Sequence, residues 1–585
     1  MKVKSLGFKI FLAAAMVLFG ICALPCFGNF AVSVAEKYLG RTLRDAPRWM
    51  EVVMHCSFIG IFAVLITAFL SFVSLGKKIA GYIKNEYGLF HKEFHRGELK
   101  MSRAIFVSAV VFVFYLLCFS RIILADFFYH DDIWRAAEGS RSWIGLGRYV
   151  SEFLSILIHN NIEIQDIAPL PQIISVFIMS FTTVLLTYIL NGKKIDFIPA
   201  LALTPVFISP FFAQNFSYRY DCVYMVIAVL LPVIPFLFRD NIPAFVFSSI
   251  VFLILDCMSY QAGTSVYIIL AIFFVASKII SDEVSEDLSA TPKKKKKLAV
   301  FLAASVVSFA SALVLYKIFF VNSKSFDPNF YADAQISVTS IIPNVADYIE
   351  LCAKDFGGFF TKFSFAVVSV LAIILCVKNS KCNKLFASVV AVAAYILGLI
   401  LSFGSYLVFK QPLYEPRAFM GFNCFVAVVC FVLVKQVLFF EKKARLIKCI
   451  FIPVLLYGCM VFLFTLGNCM SVQKKYQSFR MSVLMSDLDD FIVSDKDFDL
   501  TFSGTIGMCN GNEIAVKNYP VIRKLVTVLP SANSIWNDDL MKFHNIEIEE
   551  NSSAVKPEWP LLRSTVYHDI YAQDNHFHVV LKEEF

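Results

Sequence analysis

Long apolar runs alternate with short polar segments along most of this chain. Most runs extend for roughly 16 to 25 residues, about the length that a helix needs to cross the hydrocarbon core of a membrane. None shows the period-two alternation of a barrel strand, so we expect each run to be a helix. The pattern predicts about 13 spans, of which 222–238 and 243–258 are short enough to be half-spans or a hairpin. The runs are 8–28, 52–75, 104–124, 168–190, 196–213, 222–238, 243–258, 262–280, 299–320, 363–378, 384–408, 418–438 and 447–468.

The placement of basic residues orients these spans. If the N-terminus is cytoplasmic and the spans alternate, most Lys and Arg residues of the short loops fall on the cytoplasmic side, as the positive-inside rule requires. The first run follows Lys2, Lys4 and Lys9 and ends without a small-residue cleavage site, so we interpret it as a retained signal anchor. The polar tail after the last span is then extracytoplasmic. The longest cytoplasmic loops, 77–103 and 278–298, are too short to fold as a nucleotide-binding domain.

Composition narrows the classes of function. Apolar residues make up 58% and charged residues 17% of the 585 positions, which is typical of a chain whose surface faces lipid. The formal charge of +8 is spread over short loops, so no nucleic-acid partner is indicated. The 15 cysteines lie mostly inside apolar runs and form no C-x-x-C pair. Neither a zinc site nor a disulfide framework is therefore predicted.

The outer segment 125–167 carries the best candidate for acid–base chemistry. Asp131 and Asp132 directly follow the third predicted span. Adjacent carboxylates repel each other, so one of them can keep a raised pKa that suits a general base near neutral pH. Acidic residues at helix ends are also common as solvated caps, and both interpretations stay open. Residues 147–161 place apolar side chains on one helical face, as expected of a helix in the membrane interface.

Several polar residues at the outer span ends are candidates for substrate binding. Arginine guanidinium groups match phosphate oxygens, and aromatic rings offer a flat surface for a sugar. Each candidate also has a structural explanation: Arg219 and Asp221 as an ion pair between spans, Asp256 as an interhelical hydrogen bond, and Arg417 as a side chain extended to headgroups. The full set is Arg135, Arg148, Tyr218, Arg219, Asp221, Asp256, Gln261 and Arg417.

The order of these motifs resembles the type II glucosyltransferase family, the multi-spanning enzymes of bacterial O-antigen modification and serotype conversion. The acidic pair after a span is followed by W-x-G-x-G-R at 143–148, S-Y-R-Y-D at 217–221, Y-Q at 260–261 and P-R at 416–417. The resemblance covers about residues 104–470.

The resemblance implies a GT-C-like, α-helical polytopic membrane protein of the bacterial inner membrane. Such enzymes move glucose, or another hexose, from a polyprenyl-phosphate donor to a cell-surface glycan such as O-antigen on the outer face. Apart from membrane lipid, the implied partners are this donor and a surface polysaccharide acceptor. No cofactor beyond the lipid-linked donor is expected, and no metal site is assigned.

The resemblance also implies roles for individual residues. Asp131 and Asp132 would match the family's acidic pair, with one as the base and the other orienting it or the acceptor. Contacts to the donor phosphate would come from Arg148, Arg219 and Arg417. Sugar or structural contacts would come from Asp221 and Gln261.

In the family the acidic pair follows the first span, whereas here it follows the third. We therefore interpret residues 1–103 as a two-span N-terminal addition with a basic cytoplasmic loop, 104–470 as the membrane-embedded glycosyltransferase core, and 471–585 as a small α/β extracytoplasmic domain. In this tail the pattern predicts a helix over 471–492. It predicts strands at 499–504, 525–529 and 577–581.

Other functions remain possible from the sequence. A transporter or flippase of a lipid-linked glycan would need the same arginines and aromatic residues but no base, although no internal repeat typical of transporters is visible. A glycan polymerase or ligase shares the topology but usually has a large outer loop rich in Arg and His. The loop 321–362 is moderately long and contains neither residue type.

Overall fold

A computed structural model describes most of the chain after residue 100. The described residues are 101–280, 291–321, 335–440, 448–492, 498–532, 534–544, 546 and 559–583. The predicted spans 8–28 and 52–75, including the predicted signal anchor, lie outside them.

Helices dominate the described chain up to residue 489, as the apolar runs predicted. They are connected by short polar turns and by several 3-10 turns. Their bounds are α1 Met101–Ala125, α2 Asp132–Glu138, α3 Tyr149–His159, α4 Leu170–Leu190, α5 Phe197–Leu203, α6 Pro205–Ile208, α7 Phe212–Ser217, α8 Cys222–Leu230, α9 Ile242–Cys257, α10 Thr264–Ile280, α11 Thr291–Phe319, α12 Ile341–Asp355, α13 Phe359–Asn379, α14 Lys384–Leu401, α15 Met420–Phe440 and α16 Phe451–Asp489.

The described residues include 8 helices that are long and apolar enough to cross a membrane, which marks a membrane protein. The predicted run 196–213 is not one helix. It is divided at Pro205 and Pro210 into α5, α6 and α7, because proline removes a backbone donor and clashes with the preceding turn. The run 222–238 changes from α8 into a 3-10 helix that contains Pro232 and Pro235. The exact number of spans therefore stays a prediction.

The bundle is built around α15. This helix is buried along 78% of its most apolar stretch, whereas α14 on the outside is buried along only 11%. Small residues allow close helix crossings: a Cβ added at Gly467 of α16 would lie 2.4 Å from the carbonyl carbon of Arg121 in α1. Buried side chains and these close contacts between helices therefore hold the bundle together.

The polar connections gather at the two ends of the bundle. At one end the Lys193 ammonium lies 3.6 Å from the Asp240 carboxylate, and the Asn379 side-chain amide donates to the Gln436 side chain at 3.2 Å. The predicted substrate-binding turns lie at the opposite end, where they contact one another. This grouping agrees with the alternation of the predicted spans.

The last spanning helix continues without interruption into the tail. α16 is 39 residues long, about 58 Å at 1.5 Å per residue, and it includes nearly all of the helix predicted at 471–492. Its final turns carry Met481, Leu484 and Leu488, which form one apolar core with the tail sheet. The predicted boundary at residue 470 therefore falls inside a continuous helix.

The tail contains a four-stranded sheet in the order β1-β4-β3-β2, in which β1 is parallel to β4 and the other pairs are antiparallel. The strands predicted at 499–504 and 577–581 are confirmed. The strand predicted at 525–529 is wrong, because Ile522–Leu525 is a helical turn and the next residues form no ladder. The elements are β1 Asp499–Gly504, α17 Glu513–Asn518, α18 Ile522–Leu525, α19 Asn537–Lys542, β2 Leu561–Ser564, β3 His568–Gln573 and β4 His576–Leu581.

Arg480 connects α16 to this sheet. It is 2% exposed, and its guanidinium group donates to the carbonyl oxygens of Tyr567 at 2.6 Å, Lys582 at 3.0 Å and Ile506 at 3.4 Å. Three separate parts of the tail are thus attached to one side chain of the long helix. Hydrogen bonds from a buried charged donor are among the stronger ones in proteins.

We expect Arg480→Ala to loosen the tail while leaving the bundle intact. The change leaves one buried carbonyl oxygen and two partly buried ones without this donor, which costs about 3 kcal/mol. Hydrogen exchange of the β3 and β4 amides in purified protein should rise relative to the parent. Lys475→Ala, at an exposed position of the same helix, is the control. Equal exchange in all three proteins would contradict this role.

Candidate functional site

The acidic pair lies where α1 turns into α2, and its two carboxylates have different surroundings. Asp132 is fully buried. Its side chain accepts hydrogen bonds from the backbone N–H groups of Tyr129 at 2.9 Å, Arg219 at 3.1 Å and Tyr220 at 3.3 Å. Asp132 therefore joins the acidic segment, which we define as residues 126–138, to the turn 218–221. Burial raises the pKa of its carboxyl to about 8.

Asp131 is the accessible member of the pair. Neighbouring residues at the start of a helix do not face the same direction, so Asp131 diverges from Asp132 and remains half-buried. Within the described ranges its carboxylate has no hydrogen bond or ion pair. It lies within electrostatic reach of the Tyr218 hydroxyl. A carboxylate with these properties can accept a proton from a bound hydroxyl group.

Arg417 and Arg148 each contact a tyrosine ring or hydroxyl at this end of the bundle. The Arg417 guanidinium group donates to the Tyr218 hydroxyl, and Arg148 lies over the Tyr260 ring at 4.6 Å. Tyr260 is also within electrostatic reach of both arginines. Among the described residues neither arginine forms an ion pair. Two guanidinium groups without carboxylate partners, both beside aromatic rings, can bind an anion such as phosphate.

Gln261 positions Arg148. Its side-chain oxygen accepts from Arg148 Nε at 3.1 Å, and its side-chain nitrogen donates to the Leu146 carbonyl at 3.0 Å and to the Tyr316 hydroxyl at 3.1 Å. These bonds use both ends of the amide. The geometry therefore supports Gln261 as a residue that orients Arg148.

Sequence reasoning missed a second layer of polar residues beneath Arg417. The Gln214 side-chain nitrogen donates to the Tyr129 hydroxyl at 2.9 Å and to the Glu415 carboxylate at 3.1 Å, and its oxygen accepts from the Arg417 backbone N–H at 2.8 Å. The Asn215 side chain donates to the Arg417 carbonyl at 3.3 Å. Gln214 lies in α7, just before the motif at 217–221, but no local pattern indicated its distant partners.

Arg135 and Asp221, both predicted to contact substrate, instead bind each other. Arg135 Nε lies 2.9 Å from Asp221 Oδ2, and both side chains are almost fully buried. The Trp143 indole N–H also donates to Asp221, and the Arg135 guanidinium carbon lies 3.9 Å from the Trp143 ring centroid. Because their charged groups are occupied and shielded from solvent, this arrangement favours a structural role over the predicted substrate contact.

The sequence suggested, as a structural alternative, an ion pair between Arg219 and Asp221. The structure does not contain that pair. The Arg219 guanidinium group binds Asp126 at 2.8 Å and Asp166 at 2.9 Å. Burial alone would raise the pKa of Asp126. The hydrogen bond from Lys474 and the positive charges of Arg219 and Lys474 outweigh this effect and lower that pKa. Two carboxylates neutralise Arg219, so the geometry favours it as a link between segments rather than as the predicted phosphate ligand.

Asp256 is enclosed within the bundle. It is fully buried near the end of α9, and a Cβ added at Gly263 would lie 2.3 Å from its carboxylate. No described residue forms a hydrogen bond with either carboxylate oxygen. Its burial favours a role in packing over the predicted contact with substrate. Over the part of the chain that the structure describes, no cluster of His, Cys, Asp and Glu has the arrangement of a metal site.

The tail covers one side of the acidic segment. The Tyr129 hydroxyl donates to the Lys524 carbonyl at 3.2 Å, and the His130 backbone N–H donates to the Thr527 hydroxyl at 3.3 Å. The His130 ring packs against Trp536 with centroids 4.8 Å apart. The residues on either side of Asp131 are thus held by different elements, His130 by the tail and Asp132 by the turn 218–221.

The buried Asp132 carboxyl predicts a specific dependence of stability on pH. Its pKa is raised in the folded state to about 8, so the folded protein keeps a proton that the unfolded chain releases. The stability contributed by this proton is present at low pH and is lost as pH rises from about 4 to about 8. Thermal unfolding of purified protein between pH 5 and 9 should show a smaller pH dependence in Asp132→Asn than in the parent. Parallel curves would contradict this assignment.

Comparisons with known proteins agree with these features. A family model described as Glucosyl transferase GtrII matches residues 120–428, a range that contains Asp131, Arg148, Tyr218 and Arg417. A protein of Salmonella phage P22, described as an uncharacterized 55.3 kDa protein in the gtrB 5' region, is 23% identical over 487 residues, or 79% of this chain and 96% of the phage protein. No solved structure matches the chain. The family match spans more than half of the sequence, and the chain therefore belongs to the GtrII family of glucosyl transferases.

Proposed function

We propose that this protein transfers glucose from a polyprenyl-phosphate donor to a surface glycan such as O-antigen. Family membership supplies the glucosyltransferase activity and implies a sugar donor and a glycan acceptor. The observation that carries the finer proposal is the placement of Asp131, whose carboxylate has no hydrogen bond or ion pair among the described residues, within electrostatic reach of the tyrosine hydroxyl that Arg417 contacts. A base and an anion site are the two elements that such a transfer requires.

The donor phosphate is assigned to Arg148 and Arg417. Both guanidinium groups lie at the end of a membrane bundle, the level at which the phosphate of a membrane-anchored lipid is found. The predicted cytoplasmic loops are too short to form a nucleotide-binding domain, which favours a lipid-linked donor over a soluble nucleotide sugar. The proposed side is extracytoplasmic, in the bacterial inner membrane, because the basic loops are expected at the opposite end.

The reaction exchanges one glycosidic partner for another. An acceptor hydroxyl oxygen attacks the anomeric carbon of glucose while its proton passes to Asp131. The bond between that carbon and the phosphate oxygen breaks, and polyprenyl phosphate leaves with the bonding electron pair. Arg148 and Arg417, oriented in advance by Gln261, Gln214 and Tyr218, stabilise the negative charge on the leaving phosphate. Asp132 takes no proton from the acceptor in this scheme; it holds the backbone on which Asp131 is presented.

We expect Asp131→Asn to lower the rate of transfer by roughly 10²–10⁴-fold, because the amide cannot accept the hydroxyl proton. Transfer is measured with radiolabelled polyprenyl-phosphate glucose and acceptor glycan in membranes that contain equal amounts of protein. Glu163→Gln removes an exposed carboxylate of the same outer segment and should retain parental activity.

Full activity of Asp131→Asn would exclude Asp131 as the base. The same assay distinguishes the proposed transferase from a flippase. A flippase would move intact donor across the membrane, and no glucose would appear on the glycan. Label recovered on the acceptor together with free polyprenyl phosphate is the outcome that the proposed function predicts.

We expect Arg417→Lys to weaken donor use although it keeps the positive charge. Lysine cannot reproduce the planar pair of donors that arginine offers to phosphate, and losing one charged hydrogen bond costs about 1.5–3 kcal/mol. The KM for the donor should rise about tenfold or more, with a smaller change in the KM for the acceptor. Lys410→Gln removes an exposed charge in the same connection and should change neither constant. Unchanged donor KM in Arg417→Lys would contradict the phosphate assignment.

A further inference from the structure

Helix α12 has three distinct faces. One face packs on the protein through Asn344, Tyr348, Cys352 and Asp355, which are all buried. A second face is apolar but exposed, and a third carries charged side chains. A helix on the surface of a water-soluble protein would need only the face that packs on the protein and the charged face.

The exposed apolar face is continuous along the helix. Ile342, Ala346, Ile349 and Ala353 are exposed and follow the i, i+4, i+7, i+11 spacing of one helical stripe. Ile342 is 82% exposed. The residues leading into the helix extend the same character, since Ile336 is 70% and Val338 is 77% exposed. So much exposed branched apolar surface in one place is unusual in a protein that meets only water.

The charged face lies beside the apolar face and limits how deeply the helix can enter a membrane. Asp347, Glu350 and Lys354 are exposed and share the side of the helix adjacent to the apolar stripe. Three exposed charges are incompatible with the hydrocarbon centre of a membrane. An apolar stripe next to a charged one is typical of a helix that lies in the membrane interface.

The apolar surface continues into a helix long enough to span a membrane. Only residues 356–358 separate α12 from α13, and the start of α13 exposes Phe359 at 73%, Phe360 at 71% and Phe363 at 49%. Gly357 at the junction has φ of +72°, a conformation that permits a sharp change of direction. This continuity indicates lipid, rather than a soluble protein, as the material that covers the α12 stripe.

The face of α12 that packs on the protein binds the connection that leads to Arg417. The Asn344 side-chain nitrogen donates to the carbonyl oxygens of Leu407 at 3.0 Å and Phe409 at 2.9 Å. The Tyr348 hydroxyl donates to the Leu413 carbonyl at 3.0 Å. On the charged face, the Asp347 carboxylate also accepts a hydrogen bond from the Tyr414 hydroxyl at 2.8 Å. The position of α12 therefore sets the position of residues 407–414, three residues before Arg417.

We propose that α12 lies in the headgroup region of the leaflet next to the acidic segment, and that it holds Arg417 at the height of a lipid phosphate. The first half of this proposal concerns only contact with lipid and is independent of catalysis. The second half rests on the proposed function, because it assigns Arg417 to the phosphate of the lipid-linked donor.

Lipid contact can be tested by photolabelling of the full chain. The protein is reconstituted in vesicles of phosphatidylethanolamine and phosphatidylglycerol that contain a phospholipid with a diazirine near the headgroup end of its acyl chain. After irradiation, peptide mapping should find label at Ile342 and Ile349 and little at Glu350. Phe359 and Phe360 serve as an internal positive control. Label at the two phenylalanines but none on α12 would overturn the proposal, as would an intersubunit cross-link that shows a second copy covering the stripe.

The link to Arg417 is tested with a matched pair of variants. Ile349→Glu places a carboxylate in the apolar stripe, whereas Lys354→Glu places the same residue on the charged face. In vesicles, Ile349→Glu should reduce photolabelling of α12 and raise the donor KM by about threefold to tenfold, because interfacial binding scales with buried apolar area. Lys354→Glu should leave both readouts near the parent. Reduced labelling with an unchanged donor KM would overturn the link, and the labelling result stands even if the parent transfers no glucose.

Discussion

The candidate site depends on the hydrogen bonds that the buried carboxyl group of Asp132 accepts. Its oxygens accept backbone hydrogen bonds from the acidic segment and from the turn 218–221, two parts of the chain that are about 90 residues apart in sequence. Buried backbone N–H groups need acceptors, and one side chain supplies an acceptor for three of them. Asp131 directly precedes Asp132 in the sequence. The hydrogen bonds of Asp132 therefore hold Asp131 within electrostatic reach of Tyr218.

The other charges at this end of the bundle are arranged by pairing. Arg135 with Asp221, and Arg219 with Asp126 and Asp166, form ion pairs that connect separate segments. Such pairs neutralise their own charges, so they contribute geometry rather than binding capacity. In the described part of the chain, Asp131, Arg148 and Arg417 are left without an ion-pair partner, and these are the residues that the proposed transfer uses. This division follows from the chemistry. A base needs a free lone pair and an anion site needs free N–H donors, whereas the supporting residues use their charged groups to bind each other.

The sequence predicted the helical architecture and the motifs that lie together better than it predicted the contacts that individual residues make. Apolar runs located the spans because hydrocarbon demands continuous apolar helices, and the motifs at 131–132, 218–221, 260–261 and 416–417 do meet at one end of the bundle. The pairing of Arg135 with Asp221 could not be read from sequence, since it joins positions 86 residues apart. Gln214 was missed for the same reason. In the tail, Leu525–Leu529 has strand composition, but tertiary context overrides this weak preference.

The proposed site can be examined in a structure of the protein in a lipid nanodisc with a non-hydrolysable polyprenyl-phosphate glucose analogue. We expect phosphate density between the guanidinium groups of Arg148 and Arg417, with the anomeric carbon on the side of the Asp131 carboxylate. Phosphate bound elsewhere, or an Asp131 side chain that faces away from the sugar, would contradict this expectation.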